Sequence, residues 1–398
     1  MIPVQEAMDR ILAAVTPLGS EIVAIDRALG RVLAEPVVAR LDHPPQAVSA
    51  MDGYAVRAAD VATLPARLRV IEEVAAGSLP NKAIHTGEAA RIFTGGAVPE
   101  GADTVVIQEN CTRDREHVAV VEGSHARGRH IRLAGNDFKQ GQVGIEAGHR
   151  LTPSHIGLAA AMNWPWLAVT RRPRVAIVST GSELVHPGEA LKPGQIVGSN
   201  GLALAAFVNA AGGEAIHLGI ARDDESALSA LIDRAAGADL LLTSGGASVG
   251  DHDLVQGVLK SKGMTLDFWK IAMRPGKPLM FGRLNGMCVI GLPGNPVSAL
   301  VTSTLFVGPA IARMLGLRGV HPRVMRARLA IDLPANDLRQ DYLRAELRED
   351  ERGLIVSPFG KQDSAMLTAL SHSGALVIRA PHAPAAAAGS EIEILRLS

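Results

Sequence analysis

The stretch at residues 244–253 holds the densest set of groups that could carry chemistry in this chain. Its three glycines let the backbone turn tightly and approach a ligand, and its two serines add hydroxyl donors. A helix start after the stretch would offer unpaired N–H groups and a positive dipole end, which suit an anion. Two carboxylates beside these donors indicate a phosphorylated ligand with a divalent cation. These residues are Ser244, Gly245, Gly246, Ser248, Gly250, Asp251 and Asp253.

A strand and a helix are expected to position this stretch. Residues 239–243 form an apolar run that predicts a buried strand, and residues 254–259 predict a helix capped by Asp253. The order of strand, polar loop and helix repeats from Arg174 onward. An Asn-Gly pair at residues 285–286 predicts a two-residue hairpin turn, ahead of a long apolar helix. The alternation predicts a mostly parallel sheet with helices on its faces.

Ligands of such sheets bind beyond the carboxyl ends of the strands, so the other loops expected at that edge are candidates for the same site. They are residues 180–183, 222–224, 274–277 and 293–298. Each also has a simpler interpretation. Asp224 and Asn295 are well placed to cap helices, and Glu183 is either a site residue or a solvated acid. Arg274 and Lys277 form either a surface turn or a clamp for an oxyanion.

The composition of the 398 residues, 47% apolar and 20% charged, is typical of a globular protein with about two to four domains. Forty basic and forty acidic side chains cancel, which argues against bulk attraction to nucleic acid or membranes. Cys111 and Cys288 lack metal or redox spacing and are expected to be free, buried thiols. With no secretory pattern and no run of about 18 apolar residues, we expect no membrane span and a cytoplasmic location.

The hydrophobic pattern changes along the chain in a way that predicts four domains. Short alternating runs separated by Gly, Pro or Asn predict a small all-β domain, and helical patterns flank it on both sides. We therefore expect a multidomain α/β and β protein, in which the small β domain is inserted into a discontinuous one. The boundaries are 1–45 plus 139–172 for a helical or mixed linker domain, 46–138 for the inserted β domain, 173–320 for a central αβα domain and 321–398 for a C-terminal β domain.

Six motifs in order along the chain resemble one known family, the molybdopterin molybdenumtransferases, called MoeA in bacteria and present as the E domain of gephyrin. The resemblance covers nearly the whole chain. The motifs are Ser-Ala-Met-Asp-Gly-Tyr-Ala at residues 49–55, Phe-Thr-Gly-Gly at 93–96, Thr-Gly-Ser-Glu-Leu at 180–184, the glycine-rich stretch at 244–253, Arg-Pro-Gly-Lys-Pro at 274–278 and Gly-Leu-Pro-Gly-Asn-Pro-Val-Ser at 291–298.

The resemblance implies a magnesium-dependent transferase that acts as a homodimer. Members of the family insert molybdate at the dithiolene sulfurs of adenylylated molybdopterin and release AMP, which gives molybdenum cofactor. Their site lies between the αβ domain of one subunit and the inserted β domain of the other. The resemblance therefore implies that Asp52, Thr94 and Asp137 meet the loops at residues 180–298 of a second copy. It also implies contact with a molybdopterin adenylyltransferase, and no nucleic-acid or membrane partner.

Residue roles follow from the same resemblance. Asp52, Glu183 and Asp253 are the implied catalytic residues. The implied Mg²⁺ ligands are Glu183, Asp224, Asp251 and Asp253. The position before Glu183, often an acid in the family, is Ser182 here, which leaves the number of cation ligands open. The implied substrate-binding residues are Thr94, Asp137, Thr180, Gly181, Ser244, Gly245, Gly246, Ser248, Gly250, Arg274, Lys277, Pro293, Gly294, Asn295, Pro296 and Ser298.

Two other functions are compatible with parts of the sequence. The central domain alone also resembles molybdopterin adenylyltransferases, which share its Ser-Gly-Gly and Pro-Gly-Asn-Pro loops, but the extra β domains and residues 49–55 argue against that activity. The second alternative is a non-catalytic pterin-binding scaffold. The presence of the candidate acids argues against a scaffold.

Overall fold

A computed structural model of the chain describes residues 1–245 and 254–397. These residues form four regions, each with its own β-structure and its own buried apolar side chains. The predicted class, multidomain α/β and β, is confirmed by a mixed central sheet accompanied by two six-stranded β regions.

The central region is built on a six-stranded sheet in which four neighbouring strands are parallel and the last two pair antiparallel to their neighbours. The mostly parallel arrangement predicted from sequence is therefore present. Asn285 and Gly286 have φ angles of 49° and 86°, as the predicted two-residue hairpin turn requires. In spatial order the strands are Glu214–Ala221, Arg174–Thr180, Leu240–Ser244, Met287–Leu292, Met280–Leu284 and Thr265–Trp269.

Helices cover both faces of this sheet, because successive strand residues point to opposite sides. Ile177 packs into the apolar cluster on one face, and Val178 into the cluster on the other. The helices are Asn200–Ala211, Glu225–Asp233, Leu254–Ser261, Pro296–Thr302 and Gly308–Met314, the last two joined by a π-helical turn at Ser303–Val307. The stretch Pro296–Met314 has the length and mean hydropathy (1.4) of a membrane span, but 72% of it is buried inside the protein, as in a core helix.

The N-terminal helix Val4–Ala14 packs against the central region. Its apolar stripe, which includes Met8 and Ile11, lies in the same buried cluster as Ile177 and Leu204. The domain boundaries expected from the sequence place residues 1–45, and so this helix, with the linker domain. The amphipathic stripe explains the difference, because the stripe needs an apolar partner and the central core provides one.

The linker region combines two segments that are distant in sequence. Strand Ser20–Ala24 pairs with Trp166–Thr170, and Val37–Val38 pairs with Val143–Ile145. Side chains from both segments share one core. The helix Pro153–Ala161 begins with a reciprocal capping box, which Thr152 and His155 form. A short 3₁₀ helix at Ile25–Arg27 completes this region.

The inserted region has a six-stranded sheet and a separate two-stranded pairing between Val48–Ser49 and Ile131–Arg132. Its strands, in spatial order, are Thr104–Ile107, Gly53–Val56, Glu88–Ile92, Ala66–Val74, His117–Val120 and Cys111–Asp114, with 3₁₀ turns at Ala58–Val61 and Gln108–Asn110. Cys111 and Cys288 are both free, so the prediction of free thiols is confirmed. Cys288 is buried in the central sheet, as expected, whereas Cys111 is only half-buried. Burial raises the pKa of the Cys111 thiol to about 11.

The C-terminal region is a small barrel. Strand Gln340–Asp350 pairs with both Gly353–Pro358 and Ala375–Arg379, which closes the sheet on itself. The strands in order are Met273–Arg274, Gln340–Asp350, Gly353–Pro358, Val324–Leu329, Glu391–Arg396 and Ala375–Arg379, with a short helix at Leu367–Ser371. Met273–Arg274 comes from the central region of the chain, so it joins the two regions.

Candidate active site

A cavity of about 770 Å³ lies at the carboxyl edge of the parallel strands. Its volume is in the range of small-molecule sites. The two short parallel strands Leu184–Val185 and Ile196–Val197 lie beside it. The sequence-predicted residues that line this cavity are Thr180, Gly181, Glu183, Ser244, Gly245, Pro293, Gly294, Asn295, Pro296 and Ser298. The structure therefore brings together predicted residues from three separate loops.

At the floor of the cavity, the chain at Gly245 passes so close to its neighbours that a glycine is required. Gly245 has a φ of +93°, and a Cβ added to it would lie 2.4 Å from the carbonyl oxygen of Thr180. A Cβ on Gly294 would lie 3.5 Å from the Gly245 Cα. Only a residue without a side chain fits at position 245, because both its backbone angle and its surroundings exclude a Cβ.

Asn200 connects the same loops and was not predicted as a site residue. Its side-chain N–H group donates to Ser244 Oγ at 2.8 Å and to the Gly294 carbonyl oxygen at 2.7 Å. Asn200 is the first residue of the helix Asn200–Ala211, and Ser199 occupies the cap position. Asn295 also lacks a capping bond and donates instead to Ser364 Oγ at 2.7 Å.

The Thr180 hydroxyl is a buried polar group without a hydrogen-bond partner among the described residues. Such groups are uncommon, because an unpaired hydroxyl away from water costs free energy. Thr180 lines the cavity and ends the strand Arg174–Thr180. Its hydroxyl therefore lies buried at the edge of the cavity without a described partner.

Asp223, rather than Asp224, faces the cavity. The Asp224 carboxylate accepts hydrogen bonds from the Ser226 hydroxyl at 2.6 Å and from the Ala227 N–H at 2.7 Å. These bonds lower the pKa of Asp224, the Ser226 bond contributing most. Asp224 thus caps the helix Glu225–Asp233, and its role as a cation ligand stays a prediction.

The described carboxylates do not make a complete cation site. Glu183 and Asp223 are the acids among the described residues that line the cavity, and no group of three or more His, Cys, Asp or Glu side chains suited to a metal occurs in residues 1–245 and 254–397. Mg²⁺ commonly binds one or two carboxylates and keeps several waters, so the number and type of these two acids suit Mg²⁺. The other candidates, Gly246, Ser248, Gly250, Asp251 and Asp253, lie outside the described residues.

Arg274 has different partners from those expected of an oxyanion clamp. Its guanidinium bonds to both carboxylate oxygens of Asp341 and lies 3.4 Å from Asp337. These acids belong to the C-terminal region, and the Asp341 bond is the main cause of a raised pKa for Arg274. The residue does not line the cavity, because its short strand joins the barrel rather than the central sheet. Lys277 is half-buried and also lies outside the cavity lining.

Asp52 and Thr94 form a second cluster, in the inserted region. Asp52 Oδ1 accepts from the Thr94 N–H at 2.7 Å and from the Thr94 hydroxyl at 2.8 Å. The N–H bond and then the hydroxyl bond hold the pKa of Asp52 below its ordinary range. Asp137 lines a different cavity of about 640 Å³, together with Gly95. No described residue of the inserted region lines the central cavity, so one chain does not bring the two clusters together.

Comparison with known proteins covers nearly the whole chain. Residues 2–163 match the MoeA N-terminal region (domain I and II), residues 176–313 a probable molybdopterin binding domain, and residues 326–397 the MoeA C-terminal region (domain IV). A molybdopterin molybdenumtransferase of Nostoc is 39% identical over 388 residues, which are 95% of this chain and 89% of that protein. A Haemophilus influenzae protein of the same name is 34% identical over 99% of this chain and 98% of its own length.

A solved structure gives the same result. The crystal structure of a molybdopterin biosynthesis MoeA protein from Pyrococcus horikoshii matches with a TM-score of 0.86 and 34% identity, covering 100% of this chain and 99% of that one. Sequence and fold thus agree over all the regions described above, and the chain belongs to the molybdopterin molybdenumtransferase (MoeA) family.

Proposed function

We propose that this chain transfers molybdenum from molybdate to adenylylated molybdopterin and releases AMP, forming molybdenum cofactor. In this reaction, the dithiolene sulfurs replace oxygen ligands of molybdate, which leave as water with the thiol protons, and water cleaves the phosphoanhydride bond to give AMP and the phosphate of the pterin. The single observation that carries the proposal is the central cavity, where hydroxyls, glycine-loop amides and two carboxylates converge. Such a set suits a substrate that bears phosphate and meets an oxyanion.

The neutral donors of the cavity would bind the substrate. Thr180 and Ser298 supply hydroxyls, and the loop before the helix at Pro296 supplies backbone N–H groups near a positive helix end. Holding both substrates at one edge makes their encounter local, which is worth up to several kcal/mol in favourable cases. Glu183 would orient the reacting oxygen or a cation.

Carboxylates at the cavity would hold the divalent cation. Mg²⁺ would be held by Glu183 together with Asp251 and Asp253, and it would supply charge neutralisation at the phosphoanhydride. Asp223 joins this set because it lines the cavity beside Glu183. Asp253 is our choice for a chemical role. Asp253→Asn is expected to abolish metal insertion and to leave pterin binding intact; insertion at the wild-type rate would remove that role.

A second copy of the chain would complete the site. Asp52, Thr94 and Asp137 are not among the residues that line the central cavity of their own chain, which supports a homodimer in which each inserted region faces the partner's cavity. The substrate is an adenylylated pterin, so a molybdopterin adenylyltransferase is the proposed donor partner. Arg274 and Lys277 would act at the edge of this composite site. For this, the Arg274 guanidinium would have to release the Asp341 carboxylate and bind the substrate instead.

An anaerobic assay with purified protein tests the proposal. Adenylylated molybdopterin and Mg²⁺ are supplied, with molybdate or tungstate in parallel, and AMP release and cofactor formation are measured. Molybdate-triggered AMP release is expected. ATP consumption with unmodified molybdopterin would identify an adenylyltransferase instead. Pterin binding without turnover would identify a scaffold.

A further inference from the structure

Arg91 contacts both chain segments that carry the Asp52–Thr94 pair. Its guanidinium donates to the Gly53 carbonyl oxygen at 3.0 Å, and Gly53 directly follows Asp52. The same guanidinium lies 4.7 Å from the centre of the Phe93 ring, and Phe93 directly precedes Thr94. Arg91 thus spans the gap between the two loops whose side chains form the pair.

Gln108 and Tyr54 complete the network around Arg91. The Gln108 side-chain oxygen accepts from Arg91 at 2.6 Å, and the Gln108 N–H donates to the Asp52 carbonyl oxygen at 3.0 Å. The Tyr54 ring centre lies 5.2 Å from the guanidinium carbon. A planar guanidinium can bond at its edge and stack on its faces at once, which a lysine ammonium cannot do.

The charge of Arg91 acts on Asp52. Among the described residues, no carboxylate lies within ion-pair distance of Arg91, so its charge is not neutralised by a local partner. Asp52 has its pKa lowered first by the Thr94 N–H and hydroxyl, and Arg91 adds to this in the same direction. Geometry and charge therefore favour an ionised Asp52 held against Thr94.

We propose that Arg91 is a positioning residue that fixes the Asp52–Thr94 pair for the reaction. The inference rests on the proposed function, because it takes Asp52 and Thr94 to face the substrate. Arg91 acts through Gly53 and Phe93 and does not touch the substrate itself. A purely structural arginine would hold two strands together without changing the state of the pair.

The test compares Arg91→Gln and Arg91→Lys with a matched control, Arg69→Gln. Arg69 lies on the neighbouring strand of the same sheet and donates to Glu88 at 2.7 Å, with a side chain that is 61% exposed. In the free protein, the Asp52 carboxyl is titrated by carbon-13 NMR, and hydrogen exchange of the Thr94 amide is measured. Steady-state kinetics follow, with adenylylated molybdopterin and molybdate.

Arg91→Gln is expected to raise the pKa of Asp52, to speed exchange at Thr94 and to lower kcat about 10- to 100-fold with a smaller change in KM. Arg91→Lys keeps the positive charge, so the pKa of Asp52 should stay closer to its wild-type value than in Arg91→Gln. The slow hydrogen exchange of the Thr94 amide should not be restored. Arg69→Gln should change none of these.

Unchanged titration and exchange in Arg91→Gln would overturn the inference. If both change while kcat stays at the wild-type value, the positioning is supported and the proposed role of Asp52 fails. Should Arg91→Gln not fold, Arg91→Lys carries the test alone, and wild-type protection at Thr94 in that variant would overturn the inference.

Discussion

Ser182 and Asp223 hold each other through two hydrogen bonds of 3.0 Å each. The Ser182 N–H donates to the Asp223 carboxylate, and the Asp223 N–H donates to the Ser182 hydroxyl. The pair joins the loops that follow two neighbouring parallel strands, Arg174–Thr180 and Glu214–Ala221. Of the two residues, Asp223 lines the cavity, so Ser182 determines how that carboxylate is presented.

Ser182→Ala removes the acceptor of the Asp223 N–H and so loosens the loop that carries the Asp223 carboxylate, although the Ser182 N–H that donates to this carboxylate remains. One hydrogen bond is worth about 0.5–1.5 kcal/mol net, so we expect kcat/KM to fall about two- to tenfold with little change in Tm. Ser226→Ala is the control, because that hydroxyl bonds to Asp224 outside the cavity lining. Equal losses of activity in both variants would show that the reciprocal pair has no special role.

Asn200→Ala removes the donor shared by Ser244 and the Gly294 carbonyl. Buried or half-buried acceptors left without partners cost about 1–3 kcal/mol, so substrate affinity should fall by about tenfold or more. Calorimetric titration with the pterin substrate measures this. Asn209→Ala, at the other end of the same helix, loses a bond to the Ala215 N–H and should leave affinity unchanged. An Asn200→Ala protein of full affinity would contradict the bridging role.

Gly245→Ala is expected to disrupt the cavity floor, because the new Cβ would lie 2.4 Å from the Thr180 carbonyl oxygen at a φ of +93°. Substrate binding should be lost even where the protein still folds. Gly257→Ala is the matched comparison, since that helical glycine has open space around it and alanine favours helices by about 1 kcal/mol. We expect Gly257→Ala to raise Tm. A Gly245→Ala protein with normal binding and Tm would refute the close-approach argument.

Asp224→Ala tests the cap against the cation role through pH. The pKa of Asp224 is lowered in the folded protein, so its contribution to stability is present above the ordinary aspartate pKa, about 3.9, and is lost as pH falls through the lower folded value. Wild type should therefore have the higher Tm at pH 7, and the difference should shrink below about pH 4. Mg²⁺ affinity should not change at neutral pH. A large loss of Mg²⁺ affinity in Asp224→Ala would show that Asp224 is a cation ligand.

The edge of the sheet that carries the site follows from sequence, because local patterns determine it. Apolar runs, glycine loops and the Asn285–Gly286 turn each depend on neighbouring residues. Together they predict a mostly parallel sheet whose polar loops share one edge, and Thr180, Ser244 and Ser298 do line one cavity.

Long-range choices of side chains do not follow from such patterns. Asn200 reaches residues 44 and 94 positions away, and Arg274 pairs with an acid 67 positions away. Asp223 and Asp224 are adjacent and chemically identical, and only the tertiary fold decides which of them caps a helix and which faces the cavity.

The Asp52–Thr94 pair does not line the central cavity of its own chain, and this has a genetic consequence. On the proposed homodimer, Asp52→Asn and Glu183→Gln damage opposite walls of the site. A mixed dimer of the two variants would hold one doubly damaged site and one intact site. Random mixing makes about half of the dimers mixed, so co-expression should restore about one quarter of wild-type activity, although each variant alone is inactive. Absence of such complementation would mean that both walls come from one chain.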